Sequence, residues 1–202
     1  MNASPATPPA APAPQPPVNP QQRNRNRGLL VLIFVIFLGS ALVAVALRMS
    51  GWQPHGMRNY GELLDPPGDL REVVPHLADG TPYDWAPVER TWRIALAPPA
   101  DCGQRCVMLS QDLDKVWQLF GRHADHVHIL WIGEPPKDAV RNSALRVLRD
   151  EPAVRDALPR VQDPAGVPVY IVDPNGFVMM RYAPGFDPGH LRSDMSKLLK
   201  LR

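Results

Sequence analysis

Apolar positions along this chain fall into two unlike regimes. From Leu29 to Leu47 the run is unbroken by charge, nineteen apolar or small residues. At about 1.5 Å per residue a helix of that length spans close to the ~30 Å hydrocarbon core of a bilayer, so the run predicts a transmembrane helix. Further on, apolar residues come in short clusters divided by Pro, Gly and Asp. Trp92–Leu96, His126–Ile132, Val167–Val172 and Phe177–Tyr182 read as strands. Gln104–Phe120 and Asp138–Arg149 read as helices, with Glu151–Leu158 a short continuation after a break at Pro152. Pro188–Leu201 is the closing helix, with Leu191, Met195, Leu198 and Leu199 on one face.

The resulting order is strand-helix-strand-helix-strand-strand-helix, an α/β arrangement with a mixed sheet. Helical crossovers predict parallel first pairs, and the turn Asp173-Pro174-Asn175-Gly176 predicts an antiparallel hairpin at the end. His76–Trp85 reads as a short hairpin around Asp79-Gly80. Residues 48–75, punctuated by Gly51, Pro54, Gly56, Gly61, Pro66-Pro67-Gly68 and Pro75, read as a tether. The folded domain is then 76–202.

Composition adds the N-terminal half of the picture. Residues 1–22 hold eight prolines and no charge, too little apolar surface for a core, so residues 1–28 are expected to be a disordered tail with a basic flank. Arg23, Arg25 and Arg27 precede the span, against Arg48 and Arg58 after it, which keeps the N-terminus in the cytoplasm. The expected location is the inner (cytoplasmic) membrane, single-pass, with a periplasmic C-terminal domain. Ala44-Val45-Ala46 resembles a cleavage site, but the apolar run exceeds the roughly 7–15 residues of a signal-peptide core, which favours an uncleaved anchor. Residues 1–61 carry five Arg and no acid, so of 22 basic and 20 acidic residues the rest of the chain keeps 17 and 20. A domain at −3 has no electrostatic footprint for phosphate backbones, and nucleic acid is excluded as a partner.

The candidate chemistry lies at the first strand-to-helix junction. Cys102 and Cys106, the chain's two cysteines, stand four residues apart after Pro98-Pro99-Ala100-Asp101. Inside a helix, i and i+4 Cβ atoms are about 5–6 Å apart, against about 3.5–4.5 Å in a disulfide. The pair can therefore bridge only if Cys102 sits at or before the helix start, where free N–H groups and the helix dipole stabilise a thiolate. Two thiolates so placed serve redox exchange or hold soft Cu(I). A structural disulfide is the plain alternative, marked by a reduction potential below about −300 mV.

The element order, the dithiol after the first strand and Gly166-Val167-Pro168-Val169-Tyr170 entering the third resemble a thioredoxin fold. In that fold a cis-proline before the third strand packs against the dithiol, and Pro168 matches its position. The Cys-x-x-x-Cys spacing, the anchor and Tyr170-Ile171-Val172-Asp173-Pro174-Asn175-Gly176 resemble the Sco/SenC group more specifically. The resemblance implies assistance to the copper centre of cytochrome c oxidase, by thiol reduction of client cysteines or by carrying Cu(I) on Cys102 and Cys106. It implies Cys102 as the attacking thiolate, Cys106 as the resolving one, and Pro168 beside the client groove; no cofactor is required for exchange. Two departures stand out. The run Gln162–Pro168 lacks the group's metal-binding His, and Gly103-Gln104-Arg105 and Val107 lack its usual prolines.

Other polar and sulfur-bearing residues read as structural. His126 and His128 would share a strand face, but at the strand end opposite the dithiol, and with His123 they read as surface or satisfied core groups. His190 reads as peripheral, and His55 and His76 as tether. Met108 reads as core, as does one of Met179 and Met180. Glu134, after the second strand, is a candidate proton carrier near the site, with a solvated carboxylate as the simpler reading. Trp85, Trp92, Trp117 and Trp131 read as packing.

Overall fold

The computed structural model describes residues 20–50 and 59–200. The chain divides into two compact units, residues 1–57 and 58–202. In the first, α1 runs from Pro20 to Met49, and an 18-residue window within Asn24–Met49 reaches a mean hydropathy of 3.0. Its apolar side chains point outward all round, as they do in a helix whose solvent is lipid and whose backbone bonds are satisfied within the segment. The basic flank, expected to be disordered, is helical from Pro20. Gln and Arg extend a helix readily once the apolar stretch has nucleated it. The tail expected over 1–19 lies outside the described residues.

The second unit is built on one six-stranded sheet. Its strands are β1 (Glu62–Asp69), β2 (Trp92–Leu96), β3 (Val127–Ile132), β4 (Leu145–Leu148), β5 (Val169–Val172) and β6 (Phe177–Tyr182), ordered β1-β6-β5-β2-β3-β4. The helices are α2 (Gln104–Gln118), α3 (Pro152–Asp156) and α4 (Pro188–Leu198). β2 pairs parallel with β3, and β3 with β4; the β5–β6 hairpin is antiparallel, as expected from its turn.

Three expectations are corrected. The helix expected over Asp138–Arg149 is absent, and Leu145–Leu148 is an edge strand paired with β3. Asn142 diverts the chain there: its Oδ1 accepts from the N–H groups of Ala144 and Leu145, both at 3.0 Å, closing a turn that competes with helix. β5, which follows the short α3, runs antiparallel to β2 and not parallel as expected. The tether is also shorter than 48–75. Its Glu62–Asp69 stretch forms β1 on the sheet's other edge, paired with β6 (Glu62 opposite Arg181, Leu63 opposite Met180), where Pro66 and Pro67 are tolerated because an edge strand need not donate on both sides.

Alternation along the strands divides the core in two. Ile94, Leu96, Ile129, Trp131, Val169 and Ile171 face α2, α4 and both cysteines. Ala95, Leu130, Ile132, Tyr170 and Val172 face Leu70, Tyr83, Trp85, Val154 and Leu158. Met180 joins the first cluster and Val178 the second, although both are even positions of one strand. A register shift between Ile171 and Val172 accommodates the extra Met179 and reverses the facing.

Two buried polar groups tie this sheet to its surroundings. Asp194 of α4, with a side chain only 2% exposed, accepts from the N–H groups of Tyr60 (2.7 Å) and Gly61 (3.0 Å), from Tyr182 Oη (2.9 Å) and from Lys197 Nζ (2.9 Å). Burial alone would push this carboxyl up, but those donors outweigh it and hold its pKa below the usual value. Gly61 is required at this entry, since a Cβ there would lie 2.6 Å from the Tyr182 ring. On the second face, Arg93 is 1% exposed and donates to Tyr83 Oη and to the carbonyls of Trp85, Asp173 and Pro174. Tyr83 Oη in turn shares a 2.8 Å hydrogen bond with His128 Nδ1. Burial, then Arg146 and Arg93, pull the His128 pKa from 6.5 down to about 4.

Asp194→Ala strands four donors at a buried point, and its expected cost is about 3–5 kcal/mol, read from urea unfolding of the full chain in detergent micelles. A cost under about 1 kcal/mol would refute the latch. For His128, whose folded pKa is depressed, the associated stability is complete above pH 6.5 and drains away as pH falls toward 4. His128→Gln should flatten the fall in unfolding midpoint between those limits, and equal falls in both proteins would count against it.

Candidate thiol–disulfide site

β2 ends at Leu96, and the chain leaves the sheet through Ala97-Pro98-Pro99, where two residues without N–H groups prevent further pairing. A turn follows in which the Cys102 N–H donates to the Pro99 carbonyl at 3.2 Å. Gly103 caps α2 at φ 55°, a left-handed backbone that glycine adopts without strain. Its carbonyl accepts from the Cys106 and Val107 N–H groups at 3.1 and 3.3 Å. Cys102 therefore stands outside the helix and Cys106 inside its first turn. They form a disulfide with Cα atoms 5.6 Å apart.

The two sulfurs have different surroundings. Cys102 is 7% exposed and lines a groove of about 810 Å³, whereas Cys106 is fully buried in the first core cluster. α2 gives the groove Arg105, Met108, Leu109 and Asp112, a stripe at helical spacing that begins beside Cys102. The stripe of Cys106, Ser110, Leu113 and Val116 is buried on the sheet side. The facing walls are residues 161–167 and the loop of Pro184, Gly185 and Phe186. Asp163, in the first wall, has its pKa lowered by the Ala165 N–H and by Arg181, which ties that wall to β6.

The structure shifts several sequence-level assignments. Met108, expected in the core, is 49% exposed on the groove, because its stripe is that of Arg105 and Asp112. Pro168 is not among the groove residues; its neighbour Val167 is. The Val167–Pro168 peptide is trans, since the cis peptide among the described residues is Asp65–Pro66. A turn closed by Asp163, which accepts from the Gly166 and Ala165 N–H groups, delivers Val167 rather than Pro168 to the opening. Glu134 is exposed and does not line the groove.

A scan against family models matches residues 92–202 to the family described as transmembrane-like, thioredoxin-like, C-terminal domain. The chain belongs to that family. No curated protein matches the chain by sequence. Among solved structures, peroxiredoxin Q of Xanthomonas campestris aligns at 15% identity and a TM-score of 0.46, covering 71% of this chain and 97% of the other. A SCO1/SenC family lipoprotein from Bacillus anthracis aligns at 16% and 0.48, covering 67% and 98%. Bradyrhizobium japonicum ScoI with copper bound aligns at 14% and 0.45, covering 62% and 96%. Identities this low transfer no residue roles.

In this transmembrane-like, thioredoxin-like protein the remaining histidines lie away from the groove. His76 pairs with Glu151 at 2.9 Å, His190 stacks on Tyr60 at 3.9 Å, and His126 belongs to a 3₁₀ turn before β3. His128 bonds to Tyr83, a member of the second core cluster, whereas both cysteines belong to the first. His55 lies outside the described residues. Among the described residues no group of three or more His, Cys, Asp or Glu is placed to hold a metal. A Cys₂His copper site thus does not fit the described residues, and the soft donor set they offer is the two thiolates of the reduced pair. Trp85 and Trp131 are buried, while Trp92 and Trp117 pack against the first cluster from its margin. Sequence reading missed Gln162, Asp163, Val167, Phe186 and Arg155 as groove residues. They come from α3 and two loops far apart in sequence, and the Pro/Gly signals at 164–166 and 184–185 were the available hint.

Proposed function

We propose that this protein is a membrane-anchored thiol–disulfide reductase acting on cysteines of client proteins on the periplasmic side. The observation that supports it most directly is the asymmetry of the disulfide, with Cys102 on the groove and Cys106 wholly behind it. In the reduced protein the Cys102 thiolate attacks a client disulfide. One client sulfur leaves as a thiolate, and a Cys102–client mixed disulfide forms. The Cys106 thiolate then attacks Cys102 Sγ, the second client sulfur leaves, and the 102–106 disulfide remains. Two electrons pass to the client, and a dithiol reductant restores them in a further exchange. The three arginines ahead of the apolar run of α1, Arg23, Arg25 and Arg27, support a cytoplasmic N-terminus and an exported domain. The resemblance of Cys102–Cys106 and Tyr170–Gly176 to Sco/SenC proteins supports cytochrome c oxidase maturation as the setting, with an oxidase subunit as client.

Cys106→Ser, expressed as the full chain in membranes, should accumulate mixed disulfides that run as higher-mass species on non-reducing gels. The Cys102→Ser/Cys106→Ser chain should show none, and retained species in that double variant would sink the assignment.

A second reading, Cu(I) carriage, draws on the same two soft donors. Anaerobic Cu(I) competition of the reduced full chain in detergent then discriminates. One-to-one binding lost in the double serine variant supports carriage, and binding no tighter than the variant's removes it.

A further inference from the structure

The loop that presents Cys102 lacks two of its own donors. Pro98 and Pro99 have no N–H, and no strand partner receives the carbonyls of Ala97 and Pro98 beyond the end of β2. Arg155 of α3 receives them instead. Its Nη1 donates to the Ala97 carbonyl at 3.0 Å and its Nη2 to the Pro98 carbonyl at 3.1 Å. The guanidinium is itself braced by an ion pair with Asp150, and its side chain is 23% exposed on the wall of the groove. The constraint passes along the chain, since the next carbonyl, that of Pro99, accepts from the Cys102 N–H. An arginine fork matches two adjacent carbonyl acceptors and a carboxylate at once; a single ammonium does not.

We propose that Arg155 is a positioning residue for exchange at Cys102, clamping the Ala97–Pro98 carbonyls so that Cys102 stays over the first turn of α2 after the disulfide opens. In the oxidised chain the bond to Cys106 performs that task covalently. In the reduced chain only the loop's hydrogen bonds remain, and they decide whether the thiolate keeps the free N–H groups and dipole of α2. The inference rests on the exchange reading of the Cys102–Cys106 pair.

The experiment uses the full chain in detergent, reduced, with alkylation of Cys102 by iodoacetamide followed peptide by peptide across pH. Arg155→Met should raise the apparent Cys102 pKa by about one unit, and so slow alkylation below that pKa by about tenfold. Arg155→Lys keeps the charge but not the fork, and should shift the profile in the same direction. An Arg155→Lys profile matching wild type overturns the clamp, as does an unshifted Arg155→Met profile. If Arg155→Met does not fold, Arg155→Lys decides alone. Failure of the exchange reading shows separately, in the wild-type chain. There Cys102 would titrate like an ordinary thiol near about 8.5, and Cys106→Ser would trap no client.

Discussion

Two cysteines four residues apart cannot join within a regular helix, and the rest of the site follows from that constraint. One of them must leave the helix, so α2 has to begin between them, and Gly103 supplies the left-handed cap that lets it. The chain must also be out of the sheet before Cys102, and Pro98-Pro99 ends β2 on time. What this leaves is an asymmetric pair. Cys106 belongs to the helix's buried stripe, and Cys102 belongs to the loop and therefore to the groove. The exchange reading proposed above draws its order of events from that difference, with the loop sulfur lining the groove and the helix sulfur buried behind it.

The sheet places this junction by being buried on both sides. Its central strands carry apolar residues toward two clusters, so β2, β3 and β5 have no tolerance for a one-residue slip. The junction then emerges at a fixed point above the ends of β2 and β3. The Asp194 latch fixes the other boundary of the domain: it accepts from the N–H groups of Tyr60 and Gly61, and Tyr182, another of its donors, closes β6 just before the Pro184–Phe186 wall of the groove. The residues that enter the domain and those that wall the groove thus share one buried carboxylate's neighbourhood.

Much of this was legible because it is local. The transmembrane run, four strand segments, the helix after the cysteines and the Asp173–Gly176 turn all announce themselves within a window of about ten residues. The placement of Cys102 outside α2 was legible from bond geometry alone. β1 was not, since Pro66, Pro67 and Gly68 look like a linker and become a strand only by pairing with β6, more than a hundred residues on. β4 was hidden by a helical-looking Asp138–Arg149 pattern that Asn142's side chain overrides. Pro168 was chosen by its place in a familiar pattern, and the Asp163 turn moves the groove contact to Val167 by one residue. Met108 was read as core, but two positions after the buried Cys106 it falls on the opposite side of α2, on the stripe of Arg105 and Asp112.

The charges on the groove follow a related logic. Asp150 and Asp163, the carboxylates that brace its walls, are each bound to an arginine, Arg155 and Arg181. Those bracing charges are spent on holding loops, so they act on a thiolate chiefly through geometry. Arg105 on the α2 stripe and Asp101 beside Cys102 offer opposite charges within a few residues of the sulfur. On the exchange reading, a Cys102 thiolate would therefore depend less on a net positive field than on where the helix begins. That makes the position of Cys102, more than the charge around it, the quantity the fold has to control.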